Sequence, residues 1–409
     1  MAFVALQQSG SSSVRATYWA EFALAVGGFG IGTGEFASMG FLPNVATTYG
    51  VSVPQAGHII SAYALGVVAG APIIAILGAK LPRRLLLLLL MAFFALGNVV
   101  SAFAPGYGWL VALRFLSGLP HGAYFGVASL VAADMAAPDK RAQAVGRVML
   151  GLTVATLVGT PLATWLGQSL GWRAAYAVVG GIGAVTVALI MAMVPIDPHK
   201  GEAGEGQGQG KRAGAQVWLT LGVAAIGFGG MFAVFSYITP TLVEVSRIPR
   251  AYVPLVLCVF GAGMVLGNIV GPRLADRALM PTIAGILIWD AVVLGMFYFT
   301  AGHAWLAIIN VLLVGTGFAL CPALQTRLMD VAGDAQTLAA ALNHAAFNIA
   351  NALGAWLGGL AISAGYGWNS TGWVGGLFAL GGLAIFVVSL LAEVFAQKAP
   401  TRPAIESAG

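Results

Sequence analysis

Long stretches of the chain carry no Asp, Glu, Lys or Arg, and they set the first expectation. Phe36 to Ala79 is charge-free, enough for the end of one helix, a turn at Pro43 to Pro54 and a second helix. Leu85 to Leu113, Val148 to Trp172 and Ala174 to Ile196 read as further spans or near-spans. Ala335 to Ala392 holds another pair, broken at Ser363 to Gly372. A helix crossing the hydrocarbon needs about 20 mostly apolar residues. On that length the helix centres are expected near residues 30, 66, 95, 120, 155 and 184, then 227, 263, 290, 314, 349 and 383. The pattern predicts an all-α membrane protein with twelve transmembrane helices.

Composition agrees. Of 409 residues, 59% are apolar, close to what twelve such spans consume, and only 8% are charged. Soluble domains carry about 25% charged residues, so a water-soluble enzyme is excluded. The segment from Ile196 to Gln216 is Gly-, Gln- and charge-rich and reads as a flexible linker. It divides the chain into a six-helix bundle over 1–195, the linker over 196–216, and a second six-helix bundle with a short tail over 217–409. Met1 to Thr17 is polar, lacks the basic start, short apolar core and cleavage site of a signal peptide, and leaves the first helix in the mature protein.

The net charge of +5 invites a nucleic-acid reading, but the basic residues make no continuous face. They orient the chain instead. With both termini on one side, that side carries Arg15, Lys80, Arg83, Arg84, Lys140, Arg141, Arg147, Lys200, Lys211, Arg212, Arg273, Arg277, Arg327, Lys398 and Arg402. The other side has Arg173, Arg247 and Arg250, and Arg114 lies within a span. The excess of Lys and Arg predicts cytoplasmic termini and a cytoplasmic linker. Cys258 and Cys321 both sit in apolar runs, so neither a disulfide framework nor a metal site is expected.

The halves repeat. Gly78-Ala-Lys-Leu-Pro-Arg-Arg84 aligns with Gly271-Pro-Arg-Leu-Ala-Asp-Arg277, and Leu162-Ala-Thr-Trp-Leu-Gly167 with Leu353-Gly-Ala-Trp-Leu-Gly358, at nearly the same offset. Parallel six-helix repeats about a central axis are one architecture of secondary transporters.

Gly271 to Arg277 matches the cytoplasmic loop motif of the major facilitator superfamily, and Arg114-Phe-Leu-Ser-Gly118 its fourth-helix Arg-x-x-x-Gly motif. Gly151 through Gly159-Thr-Pro161 to Gly167 resembles its fifth-helix antiporter motif, with Thr160 interrupting the usual Gly-Pro. Gly32-Thr-Gly-Glu-Phe36, Gly118-Leu-Pro-His-Gly-Ala-Tyr-Phe-Gly126 and Ala345-Ala-Phe-Asn-Ile-Ala-Asn-Ala-Leu-Gly354 are similar to arabinose-efflux and purine-efflux permeases of the drug:proton antiporter-1 group. The resemblance implies two pseudo-symmetric six-helix bundles in a bacterial inner membrane, working by alternating access without a cofactor, with the proton gradient as energy source. Its expected partners are a small-molecule substrate, protons and the lipid bilayer, with no nucleic acid and a monomeric working unit. In the first half Arg83, followed by Arg84, stands where the loop motif carries Asp. An Asp-based gate is therefore expected only in the second half, at Gly271, Asp276 and Arg277.

Charges within hydrocarbon are costly and usually face a cavity or a partner. Three stand well inside spans: Glu35, Arg114 and Asp290. At 1.5 Å per residue, Glu35 lies about 12 Å and Arg114 about 9 Å from the outer ends of their helices, so an ion pair or a shared cavity is geometrically open. A carboxylate balanced between apolar surroundings and a nearby cation can exchange protons, and Glu35 is the expected carrier; a static pair with Arg114 is the alternative. Asp290 lies on a helix that the resemblance places towards the outside of the bundle, where a structural or interfacial role competes with coupling. Glu21, near the cytoplasmic end of its helix, is expected to be solvated.

His121, on the same helical face as Arg114, Gly118 and Phe125, could contact a substrate or pack as a neutral ring. His344, Asn348 and Asn351 follow i, i+4, i+7 spacing and must face protein or a watery cavity. With Met39, Tyr124, Phe125, Phe232, Tyr237 and Phe347 they form the candidate substrate-binding set. The Gly28-Phe-Gly30-Ile-Gly32-Thr-Gly34 run sits inside an apolar span rather than after a strand, so it reads as close helix contact and not as a phosphate-binding loop. The expected activity is proton-coupled export of a small organic solute or drug. A proton-coupled or facilitative importer of a neutral sugar or nucleoside, and more remotely a non-transporting membrane sensor, are the alternatives.

Overall fold

A computed structural model describes residues 2–51, 53–78, 80–196 and 210–398. The greater part of the linker, residues 197–209, lies outside the described residues. Eleven helices among those described are long and apolar enough to cross a membrane. They are α2 (His58–Gly78), α3 (Arg83–Ala102), α4 (Tyr107–Met135), α5 (Pro138–Ser169), α6 (Trp172–Met193), α7 (Gly214–Ser236), α8 (Val253–Arg277), α9 (Leu279–Thr300), α10 (Ala304–Val331), α11 (Gln336–Tyr366) and α12 (Trp368–Phe395). The twelfth, α1 (Ala2–Gly40), is of spanning length and packs on α5 and α6, with Glu21 and Glu35 interrupting its apolar run. Every helix centre expected from the charge-free stretches falls inside its helix.

Prolines account for two of the helix deformations. Pro161 lacks the N–H that would serve the carbonyl four residues back, and α5 loosens into a π-turn at Ala155–Gly159. Pro322 does the same in α10, where Gly317–Ala319 tightens to a 3-10 turn. A short helix over Leu42–Tyr49 follows α1 on the face away from the basic loops.

The repeat is visible in packing. A Cβ at Gly66 of α2 would strike the Phe115 carbonyl of α4, and one at Gly118 of α4 the Tyr63 carbonyl of α2. In the second half Gly263 of α8 stands against the Leu312 carbonyl of α10, and Gly315 of α10 against the Phe260 carbonyl of α8. The same close pair of helices is thus built twice. Small residues permit this approach where hydrocarbon solvent offers no hydrophobic drive between helices.

The two bundles meet along α4–α11, α2–α11 and α5–α8. Gly126 and Gly122 of α4 lie on the Ala341 backbone of α11, and Gly146 of α5 lies on Pro272 of α8. Asn268 of α8 donates a 2.6 Å hydrogen bond to the Gly146 carbonyl. These contacts lie towards the face that carries the α2–α3 and α8–α9 loops, hereafter the basic face.

Candidate functional site

α1, α4 and α5 of the first half converge with α7, α8, α10 and α11 of the second on a central cavity of about 60 Å³. Glu35 is the acidic residue of its lining, 13% exposed, and its Oε2 stands 4.0 Å from His121 Nδ1. The Tyr63 hydroxyl shares a 3.3 Å hydrogen bond with the same His121 nitrogen. His344 faces His121 from α11 with ring centroids 5.6 Å apart, and Phe125 stacks on His344 at 4.6 Å. Among the described residues, buried His344 Nε2 has no hydrogen-bond partner. A buried donor or acceptor left unpaired is costly, so this atom, on a ring that lines the cavity, is available to a water or a ligand.

The rest of the lining is aromatic and thioether-rich. Phe228, Phe232 and Phe235 project from α7 at i, i+4, i+7 spacing, and Phe36, Phe260, Phe318, Phe347, Met231 and Met264 complete the apolar walls. Phe228 contacts Phe347 at 4.6 Å, and Phe235 stacks on Phe260 at 4.5 Å. Asn348, Asn351, Thr156 and Cys321 add polar or polarisable points. Pockets for small organic ligands hold about 300–1,000 Å³. The cavity as it stands holds a water or two, so a solute enters only when the bundles part.

Arg114 corrects one expectation. It is fully buried, yet among the described residues no Lys or Arg stands within 4.0 Å of the Glu35 carboxylate, and the ring at that distance is His121. Arg114 instead donates 2.8 Å to the Gly34 carbonyl and 3.2 Å to Asn98 Oδ1, with its guanidinium over the Tyr63 and Tyr176 rings at 4.4 and 5.0 Å. The depths match, but the arginine reaches the α1 backbone one residue short of the carboxylate. Asp290 sits at the packing contact between α9 and α10. It is 7% exposed, and its carboxyl fills the space that a Cβ at Gly317 of α10 would take. Glu21, expected to be solvated, is not: it is 2% exposed and holds Arg147 of α5 at 2.5 and 2.8 Å.

Of the candidate binding residues, His121, Phe232, His344, Phe347, Asn348 and Asn351 line the cavity. Met39 does not; it is 44% exposed at the far end of α1. Tyr124 is buried behind the site, donating 2.8 Å to the Leu24 carbonyl, and Tyr237 donates 2.8 Å to the Ala355 carbonyl. Phe125 lies behind His344 as its stacking partner. The aromatic lining that sequence reasoning missed was legible in one place, the Phe228-x-x-x-Phe232-x-x-Phe235 stripe on α7. Phe260, Met264 and Phe318 come from runs that are apolar on every side.

The loop residues divide unequally. Asp276 accepts backbone N–H bonds from Ala142 at 2.7 Å and Gln143 at 3.0 Å, capping the first turn of helical α5 across the bundle boundary. Beside it Arg141 pairs with Asp330 of α10 at 2.9 Å. Gly271 is packed on Ala319. Arg83 pairs with Asp134, and Arg84 donates to the Met191 carbonyl at 2.5 Å, both within the first half. Arg277 is exposed at the end of α8.

Residues 24–337 match the Major Facilitator Superfamily. The chain belongs to that superfamily. It is similar to the inner membrane transport protein YdhP of Escherichia coli K12, with 40% identity over 376 residues, 91% of this chain and 95% of that protein. It is also similar to the chloramphenicol resistance protein of Streptomyces lividans, with 31% identity over 385 residues, 91% of this chain and 95% of that one. The crystal structure of the E. coli fucose:proton symporter FucP superposes with a TM-score of 0.72 at 15% identity, covering 90% of this chain and 98% of that chain, a likeness of fold. The chain is therefore a membrane transporter of the major facilitator fold.

Proposed function

We propose that this transporter exports a small amphiphilic organic solute from the cytoplasm in exchange for protons, with Glu35 as the proton carrier and the termini cytoplasmic. The carrying observation is the placement of Glu35: a carboxylate in an aromatic cavity between the bundles, 4.0 Å from His121 and across from an unpartnered His344 nitrogen. A group at that boundary meets water from one face and then the other as the bundles rock. Among the described residues the lining has one carboxylate, no Lys or Arg and many Phe and Met side chains. Such a surface suits a neutral or cationic amphiphile over an anion. Chloramphenicol resistance in the name of one relative supports the export direction.

Protonation of Glu35 from outside removes the one formal charge of the lining and favours return to the cytoplasmic face. Proton release there accompanies solute capture. The test is transport by the protein reconstituted in liposomes under imposed pH gradients of both signs, with neutral sugars, nucleosides and cationic amphiphiles as probes. Gradient-driven accumulation on the acidic side, lost in Glu35→Gln, is expected. Full gradient-driven transport by Glu35→Gln excludes the proton role, and accumulation on the alkaline side identifies an importer.

A further inference from the structure

A second, larger void lies away from the central cavity. It is a groove of about 530 Å³ on the flank of the second bundle, walled by α8 and α9 and floored by α10. Its α8 wall runs from Leu266 to Arg277, about 16 Å at 1.5 Å per residue. One leaflet of hydrocarbon is about 15 Å deep. The groove therefore matches a single leaflet in length.

Its polarity is graded. Deep in the groove the Trp289 indole donates 2.9 Å to the Thr316 hydroxyl, which itself donates to the Leu313 carbonyl, so those polar groups satisfy one another. At the basic-face end stand Thr282 and Arg277. Arg277 is exposed and is in no ion pair among the described residues, whereas its neighbour Asp276 is turned to the α5 backbone. The N-terminus of the 22-residue helix α9 opens beside it, adding the positive end of a helix dipole. An occupant complementary to this groove is apolar for one leaflet's depth and anionic at the headgroup end.

We propose that the α8–α9–α10 groove binds one anionic phospholipid of the basic-face leaflet, an acyl chain along the groove and the phosphate on Arg277. Guanidinium and phosphate form paired charge-assisted hydrogen bonds. The lipid then sits on α9 and on the helix whose last turn carries Asp276, and holds their spacing. A zwitterionic lipid offers the same chain without net charge, and competes less well.

Native mass spectrometry of the full transporter, taken from vesicles of equal phosphatidylglycerol and phosphatidylcholine, tests this. One tightly retained phosphatidylglycerol is expected, with a preference over phosphatidylcholine of about fivefold, the worth of one surface Arg to an anionic lipid. Arg277→Gln is expected to erase the preference, and Arg273→Gln, a nearby exposed arginine outside the groove lining, to leave it. A Cβ at Gly285 meets open space, so Gly285→Trp fills the groove without backbone conflict and is expected to lower retention of both lipids. Retention by Arg277→Gln equal to the parent, an equal loss in Arg273→Gln, or full retention by Gly285→Trp each overturns the site. Transport direction and Glu35 play no part in the readout.

Discussion

Arg114 donates a 2.8 Å hydrogen bond to the carbonyl of Gly34 and so grips α1 one residue before Glu35. The same guanidinium reaches Asn98 and lies over two tyrosine rings, which ties α1, α2, α3, α4 and α6 around the carboxylate. Lysine has neither the fork nor the flat face to serve these partners together. Arg114→Lys is therefore expected to fold yet lose most gradient-driven transport. Arg114→Ala is expected to cost about 3 kcal/mol from the void and the unpaired carbonyl. Thermal unfolding in detergent and liposome flux measure the two effects separately. An Arg114→Lys protein with parental transport shows that the grip does not position Glu35.

Asp276 supplies the cross-bundle cap on α5 that has no aspartate counterpart at Arg83. Removing a helix cap costs about 1–2 kcal/mol, which shifts a two-state equilibrium about 5- to 30-fold. Asp276→Ala is expected to enrich the conformer open at the basic face by that order. Spin labels placed on the α4–α5 and α8–α9 loops report it as a longer distance population. Arg83→Ala breaks a half-exposed pair inside one bundle and is expected to move the same distribution little. Equal shifts from the two substitutions reject the asymmetric latch.

Sequence periodicity and charge placement carried the fold because hydrocarbon leaves the chain few choices. The site was legible where polarity broke an apolar run: Glu35, His121 and the His344–Asn348–Asn351 stripe. Arg114 was correct in depth but forms no ion pair with Glu35 among the described residues, since spacing along two helices gives height but not the rotation that aimed it at Gly34, Asn98 and the tyrosines. Tyr124 and Tyr237 look like lining in sequence because each has a polar tip. Their hydroxyls end on neighbouring carbonyls, a destination no single-helix pattern reveals.

Glu21 and Arg147 form a doubly bonded pair between α1 and α5 at 2.5 and 2.8 Å, with Tyr18 over the guanidinium at 5.2 Å. The carboxylate is buried while the arginine is partly open, so the two truncations are unequal. Arg147→Ala strands a buried carboxylate and is expected to cost about 3 kcal/mol. Glu21→Gln keeps the shape and a hydrogen-bond acceptor and is expected to cost less. A double-mutant cycle on thermal stability gives the coupling; a coupling near zero removes the pair as a fastening of α1.

The duplicated glycine seam makes a paired prediction. Gly118 of α4 stands on the Tyr63 carbonyl and Gly315 of α10 on the Phe260 carbonyl, equivalent places in the two bundles. Backbone cannot give way as a flexible side chain does, so a branched side chain at either forces its helix pair apart. Gly118→Val and Gly315→Val are each expected to destabilise by about 3 kcal/mol or more. Gly285→Ala, facing open space, is expected to stay within about 0.5 kcal/mol. Melting temperatures of the three purified variants decide it. If one seam tolerates valine and the other does not, the two bundles share their architecture but not the tightness of their closest helix pair.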